Sequence, residues 1–472
     1  MKLNQIVALL ALVIGLSLSS CSSDDDVNNF NPTIQISVDA NTYLEDAGSI
    51  TVTFTTSETF TEALEIIYEV SGSATAGEDF ESLSGSITIP AGTKTITESL
   101  TIVEDDEVET SEDIVITLLS AQGTQEFLTG TTSVAITITD NDSFAYENGI
   151  FVVHEGSFFG GNASVSFVTD DLSSVSNSIF SEVNDAPLGD TAQSITFLDD
   201  KAFIVINNSQ KIEVVNRYTF ESIATIGGPS KDDFLNPRYM AIANGKGYVT
   251  NWADGTNSDD DFIAVLNLES YTVESTIPVS EGPEWIVSTD NTIYVAHQGG
   301  FNQNNIISVI DATSNTVETT ITVADRPNSM HLVEENLFVL SGGNPAWTGN
   351  ETSGQLDIIN TLDNTVTSTL TFETTMHPNY LSVDGDKLYY LLDGAVYTLT
   401  TSATQLPTTP EFTGVSFYDM TVHNGKLYGV DAKDFASNGS LEVYDLSTYT
   451  LEASLEVNIV PAAVYFNDAF DF

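Results

Sequence analysis

The stretch Pro237-Arg238-Tyr239-Met240-Ala241-Ile242, followed after a turn by Lys246-Gly247-Tyr248-Val249, decides the fold. The same two-part phrase returns downstream. Pro283-Glu284-Trp285-Ile286 precedes Thr292-Ile293-Tyr294-Val295, and Pro327-Asn328-Ser329-Met330 precedes Asn336-Leu337-Phe338-Val339. Pro378-Asn379-Tyr380-Leu381 precedes Lys387-Leu388-Tyr389-Tyr390. Degenerate openings fall near Ala192 and Phe417, and a last one is Pro461-Ala462-Ala463-Val464. Third strands such as Phe262–Asn267 and Ile306–Asp311, and fourth strands such as Thr272–Val279 and Thr316–Val323, complete the unit. A period of about 45 residues with four strands per unit is that of a β-propeller blade. Apolar residues alternate with period two and β-branched residues dominate, which excludes a helical repeat.

Seven opening strands imply seven blades over residues 143–472. The first comes late, because residues 149–183 hold only Ile150–His154, Ala163–Val168 and Ser174–Val183 as strand patterns. The missing innermost strand is expected from Pro461–Asn467, so that both chain ends close one blade and no sheet edge opens the ring.

Upstream, residues 32–142 read as short alternating strands, Ile50–Thr55, Ser86–Ile89, Ile114–Leu118 and Ser133–Thr139, separated by turn residues. This is an antiparallel sandwich pattern. The segment holds 21 acidic residues and one basic residue, Lys94, so its loops repel one another unless a cation gathers them. The acids cluster at strand ends: Glu104-Asp105-Asp106-Glu107 with Glu109 and Glu112, Asp140-Asn141-Asp142, and Glu45 and Asp79 in earlier loops. Calcium, which takes six to eight oxygen ligands in flexible geometry, suits such loops.

The stretches Tyr43-Leu44-Glu45-Asp46-Ala47-Gly48, Gly72–Phe80, Ile87–Gly92, Glu104–Glu109 and Ile138–Asp142 resemble a Calx-beta domain. The resemblance implies an Ig-like sandwich binding Ca²⁺ at one end, with Glu45, Asp79, Glu104, Asp105, Glu109, Asp140 and Asp142 as ligands. Asn141 stands where an acid is often found in that family. The fold class expected is therefore all-β, a sandwich followed by a seven-bladed propeller.

The N-terminus reads as a processing signal. Lys2 precedes an apolar run from Ile6 to Leu16, too short to span a bilayer and of signal-peptide length. Leu18-Ser19-Ser20-Cys21 resembles a bacterial lipobox, and Cys21 is the only cysteine of the chain. The expectation is a signal peptide over residues 1–20, lipidation at Cys21 and an acidic tether over residues 21–31. Ser22-Ser23-Asp24-Asp25-Asp26 resembles the surface-export signal of Bacteroidetes lipoproteins, which implies an outer-membrane, cell-surface location with the lipid as the membrane anchor.

Charge narrows the partners. The chain of 472 residues carries 12 Lys+Arg against 68 Asp+Glu, a net charge of −56. Nucleic acid is not expected as a partner, because phosphate binding needs clustered cations. One cysteine excludes a disulfide framework and a cysteine zinc site.

In a propeller, the loops between strands two and three and those between blades share one face. On that face fall Phe158, Phe159, Trp252, His297, Phe301 and Trp347 from the first set, and Arg238, Trp285, Arg326, His377 and Tyr380 from the second. These aromatics and two of the three arginines suit a bulky ligand with apolar faces and polar edges. Tyr239, Tyr380 and Tyr418 fit packing between blades as well as ligand contact, whereas His331 and His423 read as structural. Trp252, Trp285 and Trp347 are expected to form one wall of the mouth, with Arg238 beside Trp252. There is no nucleotide loop, His-Glu-x-x-His or nucleophile elbow.

Asn305–Asp311 with Asn315–Ile321 resembles the YVTN or YncE-like seven-bladed propellers. With the lipobox and acidic tract, the whole resembles Bacteroidetes surface lipoproteins of the BtuG type. That resemblance implies a non-catalytic capture protein for a cobalamin-like ligand that partners a TonB-dependent transporter. Two alternatives remain: a calcium-dependent adhesion or matrix protein, or a propeller lyase or hydrolase with metal-binding His154, His297 and His377.

Overall fold

The computed structural model describes residues 32–122, 128–129, 132–230, 233–255 and 257–469. Cys21, the apolar run and the acidic tether lie outside the described residues. The chain divides into two compact units, residues 1–142 and 143–472. Among the described residues no helix is long and apolar enough to cross a membrane.

The first unit is a sandwich of two sheets. One has the order Thr95–Thr101, Ser49–Thr56, Thr33–Ser37, Leu128–Thr129; the other runs Thr42–Leu44, Ser133–Thr139, Glu112–Gln122, Leu64–Gly72, Ser86–Ile89. Alternation does the sorting: in Ser49–Thr56 the residues Ile50, Val52 and Phe54 point inward and are 2% exposed or less. They meet Ile66, Tyr68, Ile114, Ile116 and Ile136 of the facing sheet in a core made wholly of this unit's residues. The expected Ile114–Leu118 is the middle of a longer strand that begins at Glu112, and this extension matters for the acidic end.

The second unit holds seven four-stranded antiparallel sheets among the described residues. Their innermost strands are Pro461–Asn467, Ala192–Leu198, Pro237–Ala243, Pro283–Ser288, Pro327–Val333, Asn379–Asp384 and Asp419–His423, numbered here as blades 1 to 7. Each neighbours the next, and the strand of blade 1 neighbours those of blades 2 and 7, so the ring closes. Pro461–Asn467 pairs with Gly149–His154, the closure by both chain ends that the repeat count implies.

The Tyr of the second strands locks blade to blade. Buried Tyr248 donates to the Ala312 carbonyl at 3.0 Å and to Asn315 at 2.7 Å, and Tyr294 repeats this on Asn364 at 3.0 Å. Seams nearer the axis use Thr196 on the Met240 carbonyl, Trp285 Nε1 on the Met330 carbonyl and His331 on the Leu381 carbonyl. One strand expectation holds only in part. Of Ser174–Val183, Val175–Ser176 alone forms the fourth strand of blade 1, and Ile179–Asn184 is an α-helix. Ile179, Phe180 and Val183 fall at i, i+1 and i+4, one face of a helix but both faces of a strand; Ile179 and Phe180 are buried and Val183 packs beside them in the same core, as the helix allows.

Candidate functional site

The openings of the innermost strands share a backbone device. In six of the seven blades the register slips where the strand begins, as between Pro237 and Met240 or Pro283 and Ile286, so two residues oppose one. A bulge re-aims the side chains of its extra residues. Arg238 and Tyr239, Glu284 and Trp285, and Tyr380 occupy these positions. Arg238 and Tyr239 (blade 3), Glu284 (blade 4), Tyr380 (blade 6), Tyr418 and Asp419 (blade 7), and Tyr465 with Glu155 (blade 1) are electrostatic neighbours although they come from five blades. They therefore surround the central channel.

The Arg238 guanidinium is forked on Glu284, Nε to Oε2 at 2.9 Å and an Nη to Oε1 at 2.8 Å. Burial pulls its pKa down, but Glu284 outweighs burial and holds it above the ordinary value. Glu155 is raised by burial in spite of Arg238 and of a hydrogen bond from Tyr418 at 3.3 Å. Asp419 is pushed up to about 8 by burial, against one backbone N–H from Met420. Glu155, Glu284, Asp419 and Tyr465 were not among the expected site residues. Only their places beside strand openings could have signalled them.

Above the channel, the loops between strands two and three carry the aromatic rim. Phe158 and Phe159 stand in blade 1, Phe301 in blade 4, Trp347 in blade 5 and Phe435 in blade 7. These are all the exposed aromatic residues among the described ones, and each is more than half exposed. Trp252 of blade 3 lies half-buried beneath Phe301, centroids 5.9 Å apart, with the Arg238 guanidinium 4.3 Å from its ring. A Cβ at Gly255 would overlap the Phe301 ring, so a larger residue there would displace that ring from its present position. The Trp252 Nε1 is buried without a hydrogen-bond partner.

Other expected residues are placed differently. Trp285 lies in an innermost strand and is held by the seam, 4.9 Å from Tyr239, so it does not share a rim wall with Trp252 and Trp347. His297 is fully buried, bonded to Ser308 Oγ at 2.8 Å, and burial pushes it down to about 4. That corrects its assignment as a ligand residue: a neutral imidazole closed inside its own blade offers nothing to the rim. His154 repeats the device on Ser166 at 2.9 Å and is pushed down to about 3. With His377 on the Gly342 carbonyl and Glu351, the three histidines make no shared metal site among the described residues. Arg326 stands 5.7 Å from the Trp347 ring, and Tyr380 is raised first by burial and then by Asp419.

The acidic end of the sandwich gathers two carboxylate triads: Glu45 with Asp140 and Asp142, and Asp79 with Glu109 and Glu112, each with ligand atoms within 4.8 Å of one another. Burial, then Asp105 and Asp140, push Glu45 up to about 7. Burial, then Asp79, push Glu112 up to about 7 as well. Asp140 orders the loops by accepting the Glu109 N–H at 2.7 Å and the Asp142 N–H at 2.8 Å. The Asp142 Oδ2 is buried with no partner. An orphaned carboxylate oxygen inside a triad of acids fits a hard divalent cation. Glu112 enters because its strand starts two residues earlier than expected. Glu104 and Asp105 lie outside both triads; Glu104 instead accepts from Asn141 at 3.3 Å.

Comparison with known proteins follows this division. A domain of unknown function, DUF5074, matches residues 148–430. The chain belongs to the DUF5074 family. The Calx-beta domain matches residues 28–142, and the sandwich is a Calx-beta sandwich. Among solved structures, apo AztD from Citrobacter koseri is 11% identical over 67% of this chain and 96% of its own, with a TM-score of 0.40. The Kuenenia stuttgartiensis hydrazine synthase is 16% identical over 57% of this chain and 88% of its own, TM-score 0.45. The apo Calx CBD1 domain is 21% identical over 24% of this chain and 99% of its own, TM-score 0.21. No curated protein matches the chain.

Proposed function

We propose that this DUF5074 protein is a non-catalytic, extracellular capture protein. Its propeller rim would take a bulky ligand with flat apolar faces, a cobalamin-like cofactor being the leading candidate, and pass it to a TonB-dependent transporter. The observation that carries the reading is the placement of the aromatics. A soluble fold gains nothing by exposing Phe158, Phe159, Phe301, Trp347 and Phe435 together on one class of loop. An apolar patch rimmed by polar residues is what a ligand site requires. Cys21 would tether the protein to the outer membrane, and Ca²⁺ at the two triads would stiffen the sandwich. Native mass spectrometry of the mature protein against cobalamins, haem, siderophores and glycans tests it. Retention of a flat macrocycle, lost on Phe301→Ala with Trp252→Ala, supports capture; retention of none, or retention unaffected by the double variant, overturns it.

A second reading rests on the paired triads: a calcium-dependent adhesion protein in which the sandwich is the working part. Calcium-dependent cell adherence in the absence of any rim ligand would favour it.

A further inference from the structure

Of the three arginines, two are fully engaged. Arg238 is forked on Glu284, and Arg217 bonds Asn467 while lying 4.2 Å from the Phe197 ring centroid. Arg326 is the exception. Its backbone is pinned from both sides, N–H to the Asn304 carbonyl at 2.8 Å and its carbonyl from Gly342 N–H at 3.0 Å, in a left-handed conformation with φ of 59°. Those partners belong to the second-to-third-strand loops of blades 4 and 5, so the residue is locked between two rim loops. No carboxylate meets its guanidinium among the described residues. Half-burial lowers its pKa and no neighbouring charge contributes. Even the adjacent Asp325 is turned away, its Oδ2 accepting from Asn344 at 3.0 Å and Thr352 at 2.7 Å.

In a chain of net charge −56 this solitude is costly, because a half-buried guanidinium normally finds an acid. Beside it stands Trp347, 73% exposed, with its ring centroid 5.7 Å from the guanidinium carbon. The backbone that carries the indole is the 3₁₀ turn Ala346–Thr348, which follows Pro345 and ends at Gly349. A planar fork with free donors next to an open indole matches an oxyanion attached to a flat ring.

We propose that Arg326 and Trp347 form a subsite for a ring that carries a phosphate or carboxylate, the guanidinium forking to the oxyanion and the indole stacking on the ring. The inference deepens the rim-capture reading and rests on it for its place in the molecule. It names a chemistry specific to Trp347, the exposed aromatic that among the described residues has a guanidinium at its ring.

The test uses the mature chain with inorganic phosphate and phenyl phosphate as probes, followed by calorimetry and by ³¹P line broadening. Phenyl phosphate should bind at least ~10-fold tighter than inorganic phosphate, and Arg326→Gln should weaken both by a similar factor. Trp347→Ala should leave inorganic phosphate unchanged and abolish the advantage of the ring. If Arg326→Gln lowers the melting temperature, Arg326→Lys replaces it: the charge stays and the fork is lost, so phenyl phosphate binding must fall. Wild-type-like binding by the folded Arg326 variant, or no binding of either probe by wild type, overturns the subsite. Capture of a flat macrocycle together with that result would leave the rim reading standing. A working subsite in a protein that captures no macrocycle would sink the rim reading alone.

Discussion

Glu45→Gln should act in opposite directions with and without calcium. In the folded sandwich Glu45 is held at about 7, against an ordinary 4.5, by burial and by Asp105 and Asp140. Its folded-state pKa is raised, so between about pH 4.5 and 7 the folded state keeps a proton that the unfolded chain has released. Stability therefore falls as pH rises through that window. The displacement from 4.5 to about 7 corresponds to about 3 kcal/mol against the ionised carboxylate. For a domain of this size each kcal/mol moves the melting temperature by roughly 4–8 °C. The calcium-free sandwich should thus melt roughly 10–20 °C lower at pH 7.5 than at pH 5. Glu45→Gln removes the charge and should recover most of that loss. Calcium should do the same for wild type, adding about 2.7 kcal/mol at a hundredfold excess over Kd. It should do little for the variant, which offers a weaker ligand. Calorimetry on residues 32–142 is suitable because their core is self-contained. A chelated wild type that melts alike at both pH values, or a Glu45→Gln protein that gains as much from calcium as wild type, would refute the reasoning. Because 21 acids repel generally, the difference between variant and wild type is the quantity to read.

Further outcomes follow from single residues. Trp252→Ala should weaken the captured ligand by roughly thirty-fold, the scale of a hot-spot truncation of about 2 kcal/mol, measured by calorimetry with the melting temperature as control. Arg238→Met should destabilise the propeller by about 3 kcal/mol in denaturant unfolding, since it leaves Glu284 buried and unpaired; Arg238→Met with Glu284→Leu should recover much of it. Tyr248→Phe should cost about 1 kcal/mol by the same assay, because it removes the bonds to Ala312 and Asn315 but keeps the ring. Cys21→Ala should leave an unprocessed, unlipidated precursor, visible as intact mass.

Much of the architecture was legible in the chain itself. Repeated Pro-x-x openings, alternating strands and a final Pro461–Asn467 without a blade of its own specify seven sheets and their closure, because period-two burial and the cost of a free sheet edge leave few other solutions. The acids of Asp140-Asn141-Asp142 and Glu109 announced a charged end of the sandwich for the same local reason. The helix at Ile179–Asn184 was not read from the chain: Ile179, Phe180 and Val183 have helical spacing, but six residues are too short a window for that period to stand out against the strands around it. Nor was the division of labour among site residues. Trp285 shares its residue type with Trp347, and His297 ends the strand that leads into the Phe301 loop, yet a carbonyl one blade away consumes the first and a serine one strand away the second. Glu284 neutralises Arg238 while nothing among the described residues neutralises Arg326, although both arginines stand at strand openings on the same face, in blades 3 and 5. Local sequence carries strand and turn preference over a few residues. Which polar groups find partners depends on chain segments some 45 residues apart, and that pairing exists only once the ring has closed.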